Sequence, residues 1–162
     1  MSPVQTAYQA TLDAAFEGQK TDLGMVDIIS KLAEGGDIDF GRAVVRGTDD
    51  GSAILPSVTG EDFLGVTEYT TAWAANASDI HLYQQYREMN IVRVGRIWVW
   101  TEQAVVPGDP AFFRYAAGAG GTVIGRFRKD VDTASADAIP GATFESTAGA
   151  GSLAILQLTG QR

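Results

Sequence analysis

Apolar residues crowd most densely between Ile91 and Thr101, IVRVGRIWVWT, where both odd and even positions are apolar. Successive residues of a strand point to opposite sides. Strict alternation therefore places Val92, Val94, Trp98 and Trp100 on one face, and Ile91, Ile97 and Val99 on the other. A strand apolar on both faces needs a second layer or a second chain over it. The small branched Ile97 and Val99 suit a barrel interior, which leaves Trp98 and Trp100 for a contact between chains. The competing arrangement buries both faces within one chain, since large aromatics usually go inside.

Shorter β patterns flank this one. Phe40 to Arg46 reads as a strand, followed by the turn Thr48 to Ser52. Ala53–Leu55, Phe63–Tyr69, Ala111–Tyr115, Val123–Arg128, Ala142–Ser146 and Leu153–Thr159 are further strands, the fifth of these opened by Pro140-Gly141. Val106 to Pro110 is a tight turn, and Gly118 to Gly121 a flexible loop tip. Residues 72–90 are the least regular; Ser78 can cap a helix carrying Ile80, Tyr83 and Tyr86, with an irregular loop as the alternative. Some eight short strands at this spacing predict a mainly β protein, a small antiparallel barrel or sandwich.

The first thirty-odd residues have a different period. Ala10 to Lys20 can set Leu12, Ala15 and Phe16 on one side of a short helix, and Met25 to Ala33 can do the same with Ile28, Ile29 and Leu32. Neither piece is long enough to be stable alone. The expectation is an extended or partly helical arm over residues 1–36, hinged at Gly35-Gly36, and a β-domain over 37–162.

Composition narrows the function. A chain of 162 residues buries roughly 70% of the surface exposed when it is unfolded, enough to stand without a staple. It has no cysteine, so thiolate metal sites and thiol nucleophiles are excluded. A net charge of -8 with twelve scattered Lys and Arg argues against general binding to nucleic acid; Arg126, Arg128 and Lys129 form the densest basic cluster. No apolar run approaches the ~20 residues of a membrane span, and Met1-Ser2-Pro3 does not open a signal peptide.

No convincing catalytic set emerges. Asp39-Phe40-Gly41 spells a kinase triplet without its catalytic loop, and Ala117 to Gly121 lacks the Lys-Ser or Lys-Thr of a phosphate loop. His81 is the one histidine, with no G-x-S-x-G beside it. The carboxylate pairs Asp49-Asp50 and Glu61-Asp62 lack the alternating ligands of a calcium loop. Neither catalytic residue, cofactor nor metal is expected.

Three collinear segments carry a family resemblance. The first is Asp27-Ile28-Ile29-Ser30 with Phe40-Gly41-Arg42-Ala43-Val44-Val45, and the second is Leu64-Gly65-Val66 after the Leu55-Pro56 corner. The third is Val94-Gly95-Arg96-Ile97-Trp98-Val99, then Pro107-Gly108-Asp109-Pro110, then Pro140-Gly141-Ala142-Thr143-Phe144. Together they resemble the structural cement, or capsid decoration, proteins of tailed bacteriophages, with Glu68 to Asn90 the poorest match. The resemblance implies a non-enzymatic virion protein, made in the host cytoplasm and placed on the outer capsid surface. It further implies that the protein clamps neighbouring major capsid protein subunits as a homo-oligomer, a trimer ahead of a dimer, without nucleic acid or membrane.

The interface candidates are Phe16, Ile28, Ile29, Leu32, Trp73, Trp98 and Trp100. The alternative function is a carbohydrate- or receptor-binding β-module, in which an exposed tryptophan stacks on a sugar ring. A small hydrolase built on Glu61 and Asp62 is the third possibility, with no base set opposite an acid to support it.

Overall fold

The computed structural model describes residues 15–21, 24–71, 82–118 and 122–160. Its strands are β1 (Asp27–Ala33), β2 (Ile38–Asp39), β3 (Ala43–Arg46), β4 (Ser52–Ile54), β5 (Phe63–Thr67) and β6 (Leu82–Tyr83), then β7 (Glu88–Thr101), β8 (Pro110–Arg114), β9 (Phe127–Arg128), β10 (Ala136–Phe144) and β11 (Ser152–Thr159). Strands β2 and β6 pair apart from the rest; the other nine form one sheet in the order β1-β4-β3-β5-β7-β11-β10-β8-β9. Additional pairings β1–β7 and β7–β9 close this sheet into two five-strand rings that share β7. A mainly β barrel fold is thus the observed class.

The long strand β7 is shared because its two halves face different neighbours. Glu88 to Val94 pairs with β1, and Val94 to Thr101 pairs with β11. Between them the register on β1 steps from Val94 to Val92, leaving Arg93 as an extra residue. Such a bulge reverses the alternation of side chains. Ile91 and Met89 therefore enter one core, with Val44, Leu64, Phe40 and Tyr83. Val92, Ile97 and Val99 share the other, with Phe113, Phe127, Phe144 and Leu156. This corrects the strict alternation expected from sequence, which set Val92 beside the tryptophans. Ile97 and Val99 are core residues, as expected.

Strand β3 of the first ring is covered on both faces. Ala43 and Val45 of β3 join the larger core while Val44 joins the smaller. Gly65 permits the close crossing of β5 over β7: a Cβ there would lie 2.4 Å from the Val92 carbonyl oxygen.

Several expectations change. No α-helix occurs among the described residues. Met25 to Ala33 is largely strand β1, and Ala15 to Lys20 is a turn whose end bridges Ile97. Strand β1 pairs with both β4 and β7, so this part of the expected arm is integral to the first ring. Ser78 and Ile80 lie outside the described residues, Tyr83 sits on β6, and Tyr86 takes a left-handed turn conformation at φ 64°. Pro140 and Gly141 fall within β10, where its register on β8 breaks between Ala138 and Thr143, rather than at a strand start. A proline fits there because a bulge needs no ladder donor.

Candidate interface surfaces

The outer face of β7 and β11 carries a cluster of half-buried apolar residues. Directly opposed residues of an antiparallel pair share a face, and Trp98 opposes Ile155 while Trp100 opposes Leu153. All four are half-buried, whereas their neighbours Ile97, Val99, Ala154 and Leu156 are buried in the core. Polar contacts border the patch: Arg96 Nε lies 2.6 Å from Glu145 and 3.1 Å from Gln157 Oε1. The Arg126 guanidinium lies 5.1 Å from the Trp100 ring centroid, a cation–π arrangement that occupies ring surface a sugar would need. Trp98 and Trp100 are thus brought together on a surface facing away from the barrel core.

A second surface forms where residues 15–21 cross the barrel. Gly18 donates to the Trp98 carbonyl at 2.7 Å, and the Trp98 amide donates to Gln19 at 2.8 Å. Gly18 sits at φ +83°, and a Cβ there would meet Gly41 N, Thr67 O and Tyr69 N below 3.0 Å, so only glycine lets the backbones come this close. The crossing sets Phe16, 53% exposed, in a stack on Tyr69 with centroids 5.2 Å apart. Tyr69 in turn meets Phe40 edge-on at 5.3 Å. Beneath these rings Arg42, nearly fully buried, pairs with Asp39 at 2.8 Å and with Glu17 at 3.2 Å. Burial raises the Glu17 carboxyl above its ordinary range, against the opposing pull of Arg42 and Arg126.

Strand β1 divides its apolar residues. Ile28 and Leu32, 37% and 49% exposed, point outward with Ser30. Ile29 turns inward and packs against the smaller core. Trp73 lies outside the described residues. The interface candidates therefore occupy separate surfaces: the tryptophan pair, the Phe16–Tyr69 stack and the outer face of β1.

Of the groups considered for chemistry, Asp39 pairs with Arg42 and Glu61 has a structural role. Glu61 accepts from the Ser57 amide at 2.7 Å and the Val58 amide at 3.2 Å, closing a turn. His81 lies outside the described residues. A buried ionic cluster escaped sequence reasoning: Arg114, on β8, has a fully buried side chain held by Glu102 at 2.7 Å and Asp132 at 2.5 Å. Arg128 joins the same carboxylates. The cluster fixes a loop in which Asp132, Thr133 and Ala134 are all left-handed, at φ 43°, 53° and 63°. The hydrogen bond from Arg114 holds the Asp132 carboxyl below its ordinary range.

A family model described as structural cement protein (E217 gp24/Pam3 gp6) matches residues 4–159. Among solved structures, a chain from the capsid of Myoviridae phage XM1 is similar at TM-score 0.71 and 16% identity, covering 98% of this chain and 98% of that one. The N base of the bacteriophage phi29 head fiber gp8.5 is a weaker likeness, with TM-score 0.44 and 10% identity over 83% of this chain and 95% of that one. No curated protein matches.

Proposed function

The chain belongs to the structural cement protein family, and from that membership we propose that it sits on the outside of the expanded phage head and bridges neighbouring major capsid protein subunits. Its structural, capsid-associated role follows from the family; the bridging geometry is our reading. The observation that carries the reading is the set of separate apolar surfaces on one small closed scaffold. A bridge needs at least two contact surfaces, and the Phe16–Tyr69 stack and the outer face of β1 supply them. Cementing is then a multivalency effect, in which many modest contacts on a lattice sum to a tight hold. The net charge of -8 suits an outward position, away from packaged DNA. Self-association, as a trimer or a dimer, uses the tryptophan surface in this reading.

Co-sedimentation tests it. Purified protein mixed with expanded empty heads should pellet to saturation at a fixed ratio to the major capsid protein, and isolated capsid subunits should bind much more weakly. Protein that stays in the supernatant at micromolar concentration refutes the bridging role.

A further inference from the structure

The twelve lysines and arginines belong to a chain of net charge -8, yet three of them, Lys31, Arg46 and Arg93, line a single groove of about 430 Å³. Strands β1, β3, β5 and β7 of the first ring contribute its walls. Asp62 is the one carboxylate in the lining; Asp27 lies beside Arg93, and Asp49 and Asp50 line the adjoining pocket that shares Lys31 and Arg46. Half-buried Ile29 and buried Leu64, both part of the smaller core, add apolar surface beside the cations.

The cations are unequally engaged. The Lys31 ammonium donates to the Asp50 carbonyl oxygen, and Arg93 lies 3.7 Å from the Asp27 carboxylate. Arg46 is exposed, and its side chain has neither hydrogen bond nor ion pair among the described residues. It lies two residues beyond Val44, a core residue of the same ring, and so on the same face of β3. A guanidinium without a partner, on a ring mouth with apolar surface beside it, is a receptor for a carboxylate in a fixed position.

We propose that this groove receives an acidic, extended segment of the major capsid protein, its carboxylate against Arg46 and an apolar side chain on Ile29 and Leu64. The inference rests on the capsid-bridging reading and names the chemistry of one contact within it. Nucleic acid fits less well: a duplex is too wide for a groove of this size, and an overall charge of -8 repels it. An acidic peptide needs only local complementarity, which such a pocket provides.

Sedimentation with expanded empty heads at low salt separates the outcomes. Arg46→Glu should keep the wild-type melting temperature, because the side chain has no internal partner, yet bind heads about tenfold or more weakly. Lys129→Glu, the same charge reversal elsewhere, should bind as wild type does. Equal binding by wild type and Arg46→Glu overturns the proposal, and so does an equal loss in Lys129→Glu, which would show general repulsion only. Failure of the wild-type protein itself to pellet would instead overturn the bridging function. A hexaglutamate peptide gives an independent readout, expected to shift the amide resonances of Lys31, Arg46 and Leu64. No shift at these residues overturns the proposal, as does displacement of the peptide by duplex DNA at lower concentration.

Discussion

At the scale of single residues, Glu17 shows how burial and pairing compete. Its carboxyl is raised first by desolvation, and Arg42 and Arg126 only partly offset that. A carboxyl whose folded pKa exceeds its unfolded value holds a proton more tightly in the native state, so stability falls as pH rises through the folded pKa. Glu17→Gln mimics the protonated form. The substitution should therefore change the melting temperature little near pH 4 and raise it relative to wild type at pH 7, as thermal melts across that range would show. A constant difference at both pH values would mean that Glu17 ionises without penalty. Nothing in the sequence announced this site, because Glu17 and Arg42 are 25 positions apart and each looks like a surface charge. Arg114 was hidden for the same reason: a charged residue on a strand is expected to face solvent, and the carboxylates that permit its burial come from distant loops.

At the scale of elements, strands with long, dense apolar runs were legible and short ambiguous pieces were not. β7 and β11 fall close to the expected Ile91–Thr101 and Leu153–Thr159. Met25 to Ala33 misled because Ile28, Ile29 and Leu32 fit a helical spacing as well as an extended one, and pairing with β7 decides between them. The bulge at Arg93 was equally invisible, since it is fixed by what lies opposite on β1. It sets which side chains face which core, and a period of two makes any one-residue slip reverse every side chain beyond it. Deleting Arg93 should therefore force either Met89 and Ile91 or Ile97 and Val99 out of their core. We expect loss of the cooperative melt, measured by near-ultraviolet circular dichroism during heating. A well-folded deletion variant would show that the bulge is dispensable.

At the scale of the whole molecule, the two rings tie the N-terminal segment to the fold. Truncation through Glu34 removes β1, the strand that closes the first ring onto β7. The truncated chain should lose its cooperative melt or aggregate, in contrast to the dispensable arm that composition suggests; a soluble, cooperatively melting product would show the second ring to be self-sufficient. In the proposed reading the tryptophan surface mediates self-association instead. Trp98→Ala with Trp100→Ala should abolish self-association while leaving a folded monomer, because buried interface tryptophans are worth ~2 kcal/mol or more each in binding. Core tryptophans would instead remove roughly 3–5 kcal/mol of stability each. Mass by size-exclusion chromatography, read with the melting temperature, separates the two results.

The ring closure has a further consequence. Each of the nine strands in the main sheet has a hydrogen-bonded neighbour on both sides. An unpaired strand edge is a template on which another copy can add its own strand without limit. In the proposed role on a capsid, many copies would sit side by side at high local concentration, where such templates would seed fibres. By closing twice on itself, the main sheet leaves none of its nine strands as an open edge, so that in the proposed role the capsid lattice, rather than the backbone of this sheet, dictates where the next copy goes.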